Sequence, residues 1–522
     1  MTTASEQPPD YRSIADVPYL QARLRGGQPA LLQGGVQLTY AALDEQARRL
    51  AGFLAGRGHG PGRRVAILLP NLPQFAVAYF GAIAAGAIAV PVNHRLAPAE
   101  IGYVVSDCAA SALITTRAQL EALRGREELR SVVDRVVVDG AAPDATPFAD
   151  ALRAAPVPAP APAAPDDVAV LLYTSGTTGF PKGAMLSHAN TLFNAGSCRR
   201  TLGYRAGDVG LVTVPLFHVT GLNSQLVALL AVGARVVIQQ QYDTREALEL
   251  VTAHRVTALF MVPAIYRLVA LRADPARHDL ASVRLAAYGG APMDPETVRA
   301  LRALLPGVEL HNCYGLTESS SLATVLPAEL ALSHVESVGR AVPGTRAEIR
   351  GLDGTTPLPA GEPGELYLRG PHVVRGYWNA PEKTREALRD GWLRTGDLAR
   401  VDADGLVTLL DRVKDMINRG GEKIYGLEVE NVLHSFPGVA EAAVVGMPHP
   451  VFGEEPVAFV VALPGTALDP EAIRKYCGTR LADYKVPVKV RVLERLPRNP
   501  AGKVLKRDLK QAFDEGLEET GR

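Results

Sequence analysis

The sequence predicts an α/β protein: a large N-terminal domain of α/β sheet subdomains followed by a small α+β C-terminal domain. Helical and strand patterns alternate along most of the chain, a Pro/Ala tract interrupts them once, and the texture changes after about residue 390.

Thr39 is placed to cap a helix in which Leu43, Ala47, Leu50, Ala51 and Leu54 recur at helical spacing until Gly56 and Gly58 end it. RVAILLP at 64–70 then reads as a buried strand. Leu72 to Val92 carries no charge and is long enough to cross a bilayer, but Pro73, Gly81, Gly86 and Pro91 break it. AIAVPVN at 87–93 reads as another buried strand, so no membrane span is expected.

The tract AAPVPAPAPAAP at 154–165 sustains neither a helix nor a central strand and is expected to be an exposed connector. After it the alternation resumes, with a strand VAVLLY at 168–173, strands near VGLVTV, 257–262 and 283–288, and a helix over 244–254. WLRTGD at 392–397 leads into DADGLVTLLDR, a hairpin turning at Asp404-Gly405, and then into DRVKDMINRGGEKI, where charges and glycines break the apolar rhythm. The domain boundary is placed there: residues 1–411, a hinge at 412–415, and 416–522. A helix after Gly426 and the strands EAAVVGMP and VAFVVAL suffice for the small unit.

Composition narrows the function. With 522 residues, 47% of them hydrophobic and 21% charged, the chain is globular. Basic and acidic residues balance at 55 each, which lacks the footprint of a nucleic-acid binder. Cys108, Cys198, Cys313 and Cys477 show no metal-type spacing and suit a reducing cytosol. The opening MTTASEQPPDYRSI has no basic region followed by an apolar run, so a cytoplasmic location is expected.

The run YTSGTTGFPKG at 173–183 is the strongest local signal. Gly176, Gly179 and Gly183 let backbone N–H groups approach an anion, Thr174, Ser175, Thr177 and Thr178 add neutral donors, and Lys182 adds charge. The spacing is not that of a Walker loop. A phosphate-holding loop is expected, with a plain Gly/Thr-rich surface turn as the alternative.

Five further motifs accompany this loop in order: YGGAPM at 288–293, NCYGLTE at 312–318, TGD at 395–397, DRVKD at 411–415 and NPAGKVLKR at 499–507. Together they resemble the adenylate-forming (ANL) superfamily, in its acyl-CoA synthetase or fatty-acid-CoA ligase branch, over about residues 36 to 510. The resemblance implies an ATP-dependent acid-thiol ligase. A carboxylic acid becomes an acyl adenylate with release of pyrophosphate, and the acyl group then passes to CoA. Bringing a carboxylate to a polyanion costs about 4 kcal/mol per like-charge pair at ~4 Å and an effective dielectric of ~20. Relieving one pair is worth roughly a thousandfold in rate, so fixed cations and Mg²⁺ should dominate.

Residue by residue, the resemblance implies Lys503 as the catalytic lysine, Glu318 as the Mg²⁺ ligand and Thr317 as a phosphate-binding hydroxyl. It implies that Tyr314 stacks on adenine, with Asn312, Cys313 and Gly315 beside it, and that Asp397 and Arg412 hold the ribose. Gly289, Gly290 and Ala291 are the segment lying along adenine and the acyl pocket. Lys414 is the hinge of a mobile small domain that withdraws Lys503 and presents Gly420, Gly421 and Lys423 to a pantetheine tunnel. An ion pair remains open for Asp397 and Arg412.

His218 stands where amino-acid-activating relatives carry an aspartate, which disfavours an α-amino acid, and resembles the histidine near the substrate carboxylate. A core histidine satisfied by backbone remains an alternative. His218, Thr220, Gly221, Tyr288, Gly289 and Leu316 are expected in the acyl pocket, with Ser319 to Leu322 continuing it. The Tyr288 ring is expected to shorten the pocket, favouring a medium-chain, compact or aromatic acid. No insertion follows VGRAVPGTRAEI, which favours CoA over the phosphopantetheine of an acyl carrier protein. A monomer or homodimer is expected. A non-catalytic nucleotide binder and a luciferase-like oxygenase are the readings from other classes.

Overall fold

The computed structural model describes residues 9–174, 181–291, 293, 295–498 and 504–514. Among these residues the strands form three sheets. The first has seven strands in the spatial order Thr146–Pro147, Asp134–Val137, Ala112–Thr115, Arg64–Leu68, Ile88–Pro91, Val168–Thr174, Lys182–Ser187. All neighbours are parallel except the last pair, a hairpin with Thr174 opposite Lys182. The phosphate-loop motif therefore connects the two strands at one edge of this sheet.

The second sheet has 14 strands and changes character at Glu309–Leu316. On one side that strand runs parallel to Leu285–Gly289 and, beyond it, to Ala258–Met261 and Val209–Val212. On the other it pairs antiparallel with Ser321–Val325, and the antiparallel order continues through Ser337–Ala341, Val407–Arg412, Trp392–Val401 and Gly364–Arg369. The change of sequence texture near 390 thus falls inside this sheet, and the chain leaves it only at Arg412. Ile417–Arg419, Glu422–Ile424, Val439–His449, Gly453–Ala462 and Lys489–Leu493 form a separate sheet with its own apolar cluster around Val429, Leu433, Val444 and Val460.

Local chemistry explains the elements. Thr39 caps the helix Tyr40–Gly56 by accepting from the Ala42 N–H at 3.2 Å, and Leu43, Leu50 and Leu54 on its inner face are fully buried. Burial at that level stabilises by about 1.5–3 kcal/mol per side chain. The uncharged stretch after Asn71 becomes a short buried helix, Pro73–Ala84, starting on its proline, and then the strand Ile88–Pro91. No described helix is long and apolar enough to cross a membrane. The Pro/Ala tract forms no regular element and is largely exposed, as expected, but backbone bonds from Val157 to Arg48 and from Ala161 to Ala84 strap it across two helices. The four cysteines are buried and free.

Candidate active site

The hairpin edge, the end of strand Glu309–Leu316 and the segment 374–378 converge. Ser175, Gly176, Thr177 and Thr178 lie outside the described residues, as do Gly502 and Lys503. The flanks of the loop are described. Segment 374–378 runs along the outer strand of the hairpin, with Met185 N–H donating to Gly376 O at 2.9 Å and Trp378 N–H to Gly183 O at 2.7 Å. This brings the Tyr377 ring under Lys182, whose Nζ lies 5.5 Å from the ring centroid. The Tyr377 hydroxyl donates to Glu318 Oε1 at 2.7 Å, and Val374 N–H donates to Glu318 O at 3.0 Å. Burial, and then the Glu318 charge, hold the Tyr377 phenol well above its ordinary pKa, so it remains a donor.

Glu318 sits in the turn Thr317–Ser319 between two antiparallel strands. Ser319 Oγ stiffens this turn by accepting from Leu316 N–H at 2.8 Å, and the next two residues take positive φ, +55° at Ser320 and +108° at Ser321. Non-glycine residues held in sparsely populated backbone regions cost about 1–3 kcal/mol and cluster at functional sites. Gly289 and Gly315 are required by close approach: a Cβ at the first would collide with Cys313 O and at the second with Ser321 O. Gly290, at φ +80°, and the exposed Ala291 edge open space beside them.

Tyr314, Asp397 and Arg412 form one hydrogen-bonded and ionic unit. The Tyr314 hydroxyl donates to Asp397 Oδ2 at 2.5 Å, and Arg412 Nε stands 3.0 Å from Asp397 Oδ1 across the register pair Asp397–Arg412. The ring of Tyr314 is buried with Ala323, Val338 and Leu366, and burial, then Asp397, push its phenol pKa well up. The ion pair left open by the sequence is therefore present and is tied to the tyrosine. Neither neighbour on this strand turns a free side chain outward: Asn312 Nδ2 is spent on Ser337 O at 2.8 Å, and the Cys313 thiol is enclosed in the apolar core.

His218 is solvent-accessible yet enclosed by dense protein on its other sides, and desolvation holds its imidazole below the ordinary value. Its Nδ1 accepts from Thr220 N–H at 3.2 Å, which leaves the proton of the neutral ring on Nε2 as an outward donor. A π-helical stretch, Thr220–Val227, follows immediately, a form common at functional sites. The loop before it needs Gly221, where a Cβ would collide with Pro215 O. Asn71 clamps this loop, donating to Val214 O at 3.1 Å and accepting from Leu216 N–H at 2.8 Å.

Tyr288, expected to stand in the acyl pocket, is fully buried among Met261, Tyr266, Met293 and Val298 in the helix-backed core. Leu316 is half-buried at the edge of the Tyr314 cluster. Lys414 is exposed. Gly420 and Gly421 form the two-residue turn of the hairpin Ile417–Arg419/Glu422–Ile424, with φ of +62° and +99°, and this tip, like Lys423, is exposed. The structure thus brings together Lys182, Glu318, Tyr314, Asp397 and Arg412, and leaves Gly420 and Gly421 exposed, with Gly420 N–H donating to Phe452 O at 2.7 Å. Tyr377 and Asn71 are site residues that the sequence motifs did not single out.

The sequence model for AMP-binding enzymes matches residues 19–378, well over half of the 522, and the model for the AMP-binding enzyme C-terminal domain matches 428–503. The chain belongs to the AMP-binding enzyme family. It is 38% identical over 504 residues to a feruloyl-CoA synthase of Amycolatopsis, covering 96% of this chain and 99% of that one. It is 36% identical over 483 residues to the long-chain-fatty-acid–CoA ligase FadD13 of Mycobacterium tuberculosis, with 92% and 93% covered. Among solved structures, the anthranilate CoA ligase AuaEII in complex with anthranoyl-AMP matches with a TM-score of 0.91 at 28% identity, covering 97% of this chain and 98% of that one.

Within the AMP-binding enzymes the chain is an AMP-forming acid–thiol ligase of the acyl-CoA synthetase branch. The family uses ATP with Mg²⁺, and CoA. The residues present fit these groups. Glu318 keeps Oε2 without a protein partner among the described residues while Oε1 is fixed by Tyr377, and one oriented carboxylate suffices for a hard cation that retains waters and phosphate ligands. Among the described residues no group of three or more His, Cys, Asp or Glu side chains is placed to hold a metal.

Proposed function

We propose that this AMP-binding enzyme activates a compact carboxylic acid, aromatic or medium-chain, as its acyl adenylate and transfers the acyl group to CoA. The convergence of Lys182, Tyr377 and Glu318 carries this reading, because it puts a cation and an oriented carboxylate on either side of one phenol at the mouth of the phosphate loop. Lys182, with the Thr174 to Thr178 donors, holds the phosphates. Glu318 would hold Mg²⁺, which would supply screening of phosphate charge, and Lys503 would offset the charge of the acid carboxylate and the α-phosphate as the two approach. The Tyr314–Asp397–Arg412 unit receives adenine and ribose, and the His218 Nε2–H orients the acid.

The compact aromatic branch is favoured by the feruloyl-CoA synthase relative and by the neighbour bound to anthranoyl-AMP. We further propose residues 1–411 and 416–522 as two domains that alternate about a hinge at 412–415. One orientation supplies Lys503 for adenylation, and the other brings Gly420, Gly421 and Lys423 in for thioester formation.

Acid-dependent ATP–pyrophosphate exchange over a panel of hydroxycinnamic, benzoic, medium-chain and long-chain acids tests the substrate class, and offering CoA and a phosphopantetheinylated carrier protein in parallel tests the acceptor. Higher turnover per KM for a long-chain acid, or for the carrier protein, would replace the corresponding half of the proposal.

A further inference from the structure

Four polar groups from three elements meet just beyond the point where the chain leaves the large sheet. Asp411 is the penultimate residue of that sheet's last strand before the proposed hinge and is largely buried. Its Oδ1 accepts from Arg412 N–H at 2.7 Å, and its Oδ2 accepts at 2.5 Å from the N–H of Gly426, the first residue of the helix Gly426–His434. On the same helix Glu430 forms an ion pair with Lys506 at 2.8 Å and accepts from Val444 N–H at 2.8 Å. A Cβ at Gly426 would stand 3.2 Å from Asp411 Oδ2 and 3.2 Å from Lys506 Nζ, so the two charges lie over the same backbone atom. Lys506 opens the helix Lys506–Asp514, three residues after Lys503.

The connectivity gives this cluster a direction. Asp411 precedes residues 412–415, whereas Gly426, Glu430 and Lys506 all follow them. Glu430 and Lys506 travel together in any rotation about Lys414, but the hydrogen bond of Asp411 with Gly426 and its charge attraction to Lys506 cross the pivot and survive in one orientation only. In the orientation present, the Gly420–Gly421 tip is exposed and a Cβ at Gly421 meets nothing within 4 Å. A tip in that position lines no tunnel.

We infer that Asp411 and Lys506 are positioning residues that latch the small C-terminal unit in the orientation used for acyl-AMP formation, and that releasing the latch is a step on the way to thioester formation. This rests on the two-orientation reading proposed above. Asp411 supplies a charged acceptor to a helix N-terminus, an arrangement stronger than a neutral hydrogen bond, and Lys506 transmits the hold to the segment that follows Lys503. Neither side chain touches substrate.

Asp411→Asn and Gly426→Ala test the latch by different chemistry, the first removing the charge and the second inserting a methyl group between the two partners. Each purified variant is assayed for acid-dependent ATP–pyrophosphate exchange and, separately, for thioester formation from supplied acyl-AMP and CoA. The latch predicts that exchange falls roughly tenfold in both variants while the second half-reaction stays within about twofold of the parent or rises. Equal loss of both half-reactions, or unchanged exchange, overturns it. Should Asp411→Asn fail to fold, Gly426→Ala decides alone by the same two rates. Absence of exchange in the unsubstituted protein overturns the functional reading beneath the latch, whereas exchange in the parent with equal losses in the variants overturns the latch only.

Discussion

The Tyr377 hydroxyl donates to Glu318 Oε1 at 2.7 Å, and these two residues stand 59 positions apart in the chain. The bond fixes one oxygen of the carboxylate and so directs the other. Tyr377→Phe keeps the ring under Lys182 and removes only this donor. Hydrogen bonds to charged groups are worth about 1.5–3 kcal/mol, so adenylation is expected to slow by roughly 10- to 100-fold. The optimum Mg²⁺ concentration in the exchange assay should rise, and thermal stability should change little. Unchanged magnesium dependence speaks against Tyr377 as the orienting group.

Asp397 holds both the Tyr314 hydroxyl and the Arg412 guanidinium. Asp397→Asn leaves the guanidinium without its counter-charge and weakens the acceptor for the phenol. An increase in the KM for ATP of at least about tenfold is expected, with a smaller change in the KM for the acid. Titration with AMP by calorimetry checks the assignment, because the loss should appear there as well.

Asn71 joins the turn before Pro73 to the loop that carries His218, through bonds to Val214 O and Leu216 N–H. Asn71→Ala leaves buried backbone groups unpaired at about 1–3 kcal/mol each. A lower Tm and a raised KM for the acid are expected, with the KM for ATP nearly unchanged. Chemical denaturation and substrate titration measure both.

Buried histidines set the acid limit of stability. Burial holds His94, His188, His311 and His372 below their ordinary values, His372 at about 4. Both ring nitrogens of His372 are buried without a hydrogen-bond partner among the described residues. A histidine whose folded pKa is depressed binds its proton more readily when unfolded, so stability is full above about pH 6.5 and is lost as pH falls towards the folded value. For His372 this amounts to about 3 kcal/mol between roughly pH 6.5 and 4. Urea unfolding at a series of pH values should show that slope, and His372→Phe should flatten part of it. An unaltered slope in the variant places the acid sensitivity elsewhere.

Periodic and short-range signals are legible in the sequence, and long-range pairings are not. The helix Thr244–His254 coincides with the span read from its apolar spacing, and the Thr39 cap and the turn at Asp404-Gly405 follow from residue chemistry within four positions. The two-sided character of strand Glu309–Leu316, parallel on one side and antiparallel on the other, has no local signature, because it depends on strands that arrive before and after it. Tyr377 and Asn71 were missed for the same reason: their partners are fixed only when distant segments pack. Tyr288 is more instructive. Strand alternation already separates Ala286 and Tyr288 from Leu285 and Ala287, and the structure places the first pair in the helix-backed core and the second in the other. A period-two reading of LAAYG contains that information, whereas motif position alone assigns the ring to the pocket.

On the proposed function a carboxylic acid is joined to AMP under cover of Lys182, Lys503 and a cation that Glu318 would hold. Pyrophosphate release by the purified protein, with ATP, magnesium and a compact aromatic acid, measures it most directly. Release should require the acid and fall at least about a hundredfold in Glu318→Gln. Release that is independent of any acid offered, or that survives intact in Glu318→Gln, contradicts it.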